Sequence, residues 1–169
     1  YNQIDQLKEI VAHNGKQLAA VVMEPTRNQH PTNDFLKQAK ELAHENGAVL
    51  VFDEITTGFR MAYGGAHQLY GVEPDIAVYA KALSNGHPIG AIVGRGDVMQ
   101  AAQESFISST YWTEGVGFTA ALAALEVMEQ QDVPAHVKRI GEKVRLGLSG
   151  LAENLTLPLK VSGHPALSP

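Results

Sequence analysis

The sequence predicts an α/β domain built on a largely parallel sheet. Two observations carry this: apolar spacing switches repeatedly between helical and strand period with short connections, and Ala48-Val49-Leu50-Val51-Phe52 is continuously apolar, as in a strand covered on both faces. Parallel strands need covering crossovers, and the alternation of helix and strand supplies them.

Ile4, Leu7 and Val11 share one face of an opening helix, with Gly15 placed to end it. A short strand is expected from Leu18 to Met23, and Pro25 to Pro31 reads as a loop. Phe35, Leu36, Ala39, Leu42 and Ala43 mark an amphipathic helix capped by Asn33 and stopped by Gly47. After the 48–52 strand come two more, Ile76 to Ala80 and Ile89 to Val93. Of the two later helices, Gly115 to Gln130 is small and apolar and is expected to be buried. Pro134 to Asn154 carries Lys138, Arg139, Glu142, Lys143 and Arg145 and is expected on the surface. Asp132-Val133-Pro134 is the boundary, because proline suits a helix start and disfavours helix just before it. Residues 1–133 thus form one unit, and 134–169 form a linking helix and the start of another. A possible strand at Leu157 to Val161 has no partner after it, so a piece of something longer is expected.

Composition narrows the function. The 169 residues are 44% hydrophobic and 18% charged, with a net charge of −5, the wrong sign for general attraction to nucleic acid. Apolar runs are too short to cross a bilayer. No cysteine is present, and Tyr1-Asn2-Gln3 carries no signal-peptide pattern, which leaves the cytoplasm as the default location. The seven histidines are scattered, without H-x-x-x-H or HExxH spacing, so no metal site is expected.

Val49 to Glu54 places two carboxylates at the carboxyl end of a buried strand, where open α/β sheets bind ligands. Three readings stay open. Asp53 and Glu54 could hold magnesium in a nucleotide-hydrolysing domain, although Gly15-Lys16-Gln17 is no phosphate loop. Asp53 could pair with the ring nitrogen of pyridoxal phosphate (PLP). The acids could also stand there because the chain is leaving the core. Side chains alternate along a strand, so at most one of the two faces a given ligand. Lys81 ends the next strand, ahead of the Ser84-Asn85-Gly86 turn, where a lysine can point into the same crevice.

In order, Glu24-Pro25, Asp53-Glu54-Ile55-Thr56-Thr57-Gly58-Phe59-Arg60, Gly64-Gly65-Ala66, Pro74-Asp75, Lys81 to Gly86, Pro88 to Ala91 and Gly94-Arg95 closely resemble the class III PLP-dependent aminotransferases. Within them the sequence looks most like the glutamate-1-semialdehyde aminomutase branch. The resemblance implies part of the large cofactor-binding domain of a fold type I PLP enzyme. It implies amino-group transfer or a 1,2 shift, with Lys81 as Schiff-base lysine, Asp53 on the ring nitrogen and Ile55 against the ring face. Thr110 would bind the cofactor phosphate of a neighbouring subunit in a homodimer, and Glu24 would face the substrate. A threonine ahead of an Ala-rich helix also suits phosphate physically, whereas Thr113 is equally placed to cap that helix. Thr56 replaces the glutamine common among amine- and ornithine-transferring members. Trp112-Thr113-Glu114 replaces a commoner Ser-Gly-Asn-Pro. The family's N-terminal phosphate cup and most of its small C-terminal domain are not in this sequence. The alternatives are the magnesium-dependent nucleotide domain and a non-catalytic remnant of the aminotransferase fold. Arg60 has no assigned role.

Overall fold

A computed structural model describes residues 1–111 and 113–167; Trp112, Ser168 and Pro169 lie outside the described residues. Four strands, β1 (Ala20–Met23), β2 (Val49–Asp53), β3 (Ile76–Tyr79) and β4 (Ala91–Gly94), pair in sequence order. The first three are parallel and β4 is antiparallel to β3. The helices are α1 (Ile4–Asn14), α2 (Phe35–Glu45), α3 (His67–Tyr70), α4 (Gly96–Met99), α5 (Val116–Gln131) and α6 (Val133–Asn154). The α/β class and largely parallel sheet agree with the sequence reading.

The core lies on one face of the sheet. Val21, Leu50 and Phe52 pack under α2 through Phe35, Leu36 and Ala43. On the same face, Ala77 and Tyr79 pack with Phe59, Leu83, and Ala121 and Met128 of α5. Fully burying each large side chain there stabilises the fold by about 1.5–3 kcal/mol. The opposite face differs from expectation: Val22 is 65% and Ile92 61% exposed, and Val51, Ile76 and Val78 are only partly covered. Continuous apolar character in β2 therefore does not mean cover on both faces by these residues.

Several local expectations are corrected. α1 does end at Gly15 as expected, although Gly15 keeps a right-handed φ of −49° and leads into a 3-10 turn, Gly15–Gln17. Asn33 is not the cap of α2: Asn33 and Asp34 both take positive φ, and Asp34 stands at the cap position without a side-chain hydrogen bond. Gly47, at φ +72°, does follow the end of α2 as expected. α5 is not buried all round, since Phe118 is 57% and Leu122 71% exposed. Leu157 to Val161 forms no strand and pairs with none of β1 to β4 among the described residues. The chain instead turns back, and Ala166 packs against Met61 and Ala66.

Candidate active site

Parallel pairing brings three chain exits to one edge. Met23 stands opposite Phe52, and Asp53 opposite Val78, so Glu24, Asp53 and Lys81 all emerge at the carboxyl ends of β1, β2 and β3. That edge is where crossovers leave space in an open α/β sheet.

Alternation separates the two carboxylates. Leu50 and Phe52 point into the core, so Asp53 lies on the opposite, open side of β2. Asp53 Oδ1 accepts the Ile55 N–H at 3.0 Å, and Oδ2 accepts no hydrogen bond among the described residues. Glu54 has no solvent exposure. Its Oε1 accepts from the backbone N–H and Nδ1 of His67, each at 2.9 Å, and its Oε2 from the Ala66 N–H at 3.0 Å and the Thr57 hydroxyl. Burial pushes the Glu54 carboxyl up, but bonds from His67, Thr57 and Ala66 outweigh it and hold the carboxyl below its usual range. The Glu54 bond raises His67, against burial, with the charges of Glu54 and Glu73 helping. Glu54 is thus fully occupied inside the protein, and Asp53 with Glu54 does not form a pair for magnesium.

Between these acids and α3 runs a tight turn. A Cβ at Gly58 would lie 2.8 Å from the Glu54 carbonyl oxygen and 2.7 Å from the Tyr79 ring, so only glycine lets the turn close against the sheet. The Phe59 and Tyr79 rings meet at 5.4 Å on its inner side. Arg60 Nη1 donates to the Thr56 carbonyl at 3.0 Å, which gives Arg60 a role the sequence did not reveal.

Lys81 starts the turn after β3 with φ +48°, left-handed and strained for a non-glycine residue. Its exposed side chain reaches the turn, where Nζ donates to Thr56 Oγ1 at 2.9 Å. Lys81, Thr56, Arg60 and Asn85 line a cavity of about 600 Å³ whose apolar wall includes Phe59 and Met128. Neither Asp53 nor Ile55 lines it. Glu24 sits on a separate cavity of about 530 Å³ and pairs with Arg27 at 3.4 Å. Thr110 is exposed in an irregular segment.

The expected cap of α5 is also corrected. Glu114, not Thr113, holds the free amides: its carboxylate accepts from Val116 N–H at 2.8 Å and Gly117 N–H at 3.1 Å. Those bonds hold Glu114 below its ordinary value. Two of the amides that would favour a phosphate at this helix start are therefore taken by an acid. Trp112, expected beside this loop, lies outside the described residues.

Sequence reasoning singles out Lys81 and Asp53, which emerge at one sheet edge, and does not reveal the Glu54–His67 pair or the Thr56 contact. A lone His and Thr carry no spacing signal that could have announced either.

A lysine amine and an open aspartate at the carboxyl edge of a mostly parallel sheet define a candidate site of the kind PLP-dependent enzymes build. The chain belongs to the class-III aminotransferase family, whose profile matches residues 2–167. It is 39% identical to the 2'-deamino-2'-hydroxyneamine transaminase of Streptomyces kanamyceticus over 96% of this chain and 41% of that protein. It is 32% identical to the glutamate-1-semialdehyde 2,1-aminomutase of Methanococcoides burtonii over 96% of this chain and 40% of that one. The structure of the PLP internal aldimine form of the Sphingopyxis sp. MTA144 FumI protein superposes with a TM-score of 0.91 at 28% identity, covering 98% of this chain and 41% of that one. This chain therefore spans about 40% of the length of these relatives.

Proposed function

We propose that this chain carries the lysine and ring-nitrogen carboxylate of a PLP-dependent enzyme that moves an amino group, by transfer between molecules or by a 1,2 shift within one. The observation that carries the reading is the exit of Lys81 and Asp53 from neighbouring parallel strands at one sheet edge, with Glu54 withdrawn into the core.

Lys81 and Asp53 each offer the chemistry that one end of PLP needs, with Lys81 alone of the two lining the 600 Å³ cavity. Lys81 supplies an accessible primary amine for the aldehyde end, and Asp53 Oδ2 is an acceptor with no protein donor among the described residues, as a protonated ring nitrogen requires. When bound, PLP labilises the bond to the substrate hydrogen and stores the resulting electron pair. Asp53 would keep a proton on the ring nitrogen, because its negative charge would oppose loss of that proton. Lys81 Nζ, as a free amine, would take up and return the proton moved between substrate positions. Ile55 offers an apolar contact to the ring, and Glu24 faces the substrate side of the edge. Thr110 serves the phosphate of a neighbouring subunit, so the whole protein works as a homodimer. Residues 1–133 belong to the cofactor-binding domain and 134–169 lead into a second one.

The test uses the full-length protein. Incubation with PLP is expected to give a visible absorption band that bleaches with borohydride, and peptide mapping is expected to find the added mass on Lys81. Mass on another lysine, or on none, overturns the reading.

A further inference from the structure

We propose that Thr56 positions the Lys81 amine, a role that rests on the function proposed above. Lys81 Nζ donates to Thr56 Oγ1 at 2.9 Å, on the rim of the 600 Å³ cavity. Both ends of this contact are held. On one side, the left-handed backbone of Lys81 (φ +48°) and the bond from Asn85 N–H to the Lys81 carbonyl at 3.1 Å set where the side chain starts. On the other, the Thr56 carbonyl accepts from Arg60 Nη1 at 3.0 Å, and Gly58 N–H closes the turn onto the Glu54 carbonyl at 2.8 Å. Threonine adds stiffness of its own, since branching at Cβ restricts χ1.

The hydroxyl suits a group that changes protonation. It accepts a hydrogen bond from the ammonium and can donate one to the free amine, so Thr56 keeps hold of Nζ in both states without moving. A carboxylate could only accept, and would favour the charged form. An aliphatic side chain would leave a long, exposed lysine to wander, since such side chains lose much rotamer entropy when fixed. Thr56 thus sets where the amine waits whenever it is not bonded to cofactor.

The experiment compares wild type, Thr56→Val, which keeps shape and removes only the hydroxyl, and Thr56→Ser, which restores it. In the cofactor-free full-length protein, competitive acetylation is read by mass spectrometry as the Lys81 rate relative to exposed Lys138. The ratio is expected to rise about threefold in Thr56→Val, a change within the net worth of one hydrogen bond, and to return in Thr56→Ser. An unchanged ratio in Thr56→Val, or a risen ratio that Thr56→Ser does not reverse, overturns the proposal. Should Thr56→Val fail to fold, Thr56→Ala is measured in its place, with the same rise expected and an unchanged ratio again overturning the proposal. A second arm adds PLP and borohydride to the wild type: the amine and aldehyde condense with loss of water, and hydride from borohydride fixes the product as a secondary amine. Absence of that product on Lys81 defeats the proposed function while acetylation still tests Thr56. Its presence with an unchanged acetylation ratio defeats Thr56 alone.

Discussion

His67 Nδ1 lies 2.9 Å from Oε1 of a Glu54 that has no contact with solvent, and this pair ties the start of α3 to the end of β2. The twelve residues between them include the turn that bears Thr56 and Arg60. The pair therefore governs the local stability of the cavity rim, and its other lone pairs are satisfied by Thr57, Ala66 and the His67 backbone.

Glu54→Ala is expected to cost about 3–5 kcal/mol, because removing one partner leaves the other buried and uncompensated. Glu54→Gln keeps some hydrogen bonds and is expected to cost less, about 1–3 kcal/mol. Urea unfolding of both variants checks the order, and equal losses would contradict the ion-pair account.

The same pair gives stability a pH window. Glu54 is held below its unfolded value, so its contribution is present above the ordinary carboxylate range and is lost as pH falls through its depressed value. His67 is held above its unfolded value, so its contribution is complete below the ordinary histidine value of about 6.5 and is lost as pH rises through the raised one. Urea midpoints measured across pH are expected to fall on both sides of that window. In His67→Gln the alkaline fall should shrink.

In the full-length protein, Lys81→Ala is expected to abolish turnover while PLP still binds without covalent attachment. Asp53→Asn should retain PLP and lose turnover severely, because a neutral amide cannot stabilise the ring-nitrogen proton. Absorption spectra and steady-state assays separate the two, and full activity in either variant would remove that residue from its role.

Gly141 lies directly under the Pro165 carbonyl, with no room for a Cβ. Gly141→Ala is expected to lift the returning segment that carries Ala166 and Leu167, both of which line the Lys81 cavity. Hydrogen exchange should rise in residues 163–167 while β2 and β3 keep their protection. Unaltered exchange would show that the helix shifts to accommodate the methyl group.

What was legible in the sequence followed from local chemistry. Apolar runs announce β2 and β3, and the strand-end positions of Asp53 and Lys81 follow from where those runs stop, with alternation needed only to set Asp53 and Glu54 on opposite sides. Direction was not legible: Ile89 to Val93 is apolar whichever way it runs, and only pairing with β3 made β4 antiparallel. The alanine-rich composition of α5 suggests burial without supplying the neighbours, and Phe118 and Leu122 stay exposed. Nor could the sequence choose between Thr113 and Glu114 at the start of α5, since either has an oxygen within reach of free amides.

Lys81 occupies a backbone conformation that favours glycine. For an L-residue that conformation costs about 1–2 kcal/mol, of which glycine would give back about 0.5–1 kcal/mol through the greater freedom of its unfolded chain. Lys81→Gly should therefore fold at least as stably as the parent while losing its amine. Selection for stability alone would drift this position toward glycine, so a lysine persisting here would reveal selection for chemistry, readable in any set of variants screened separately for folding and for turnover.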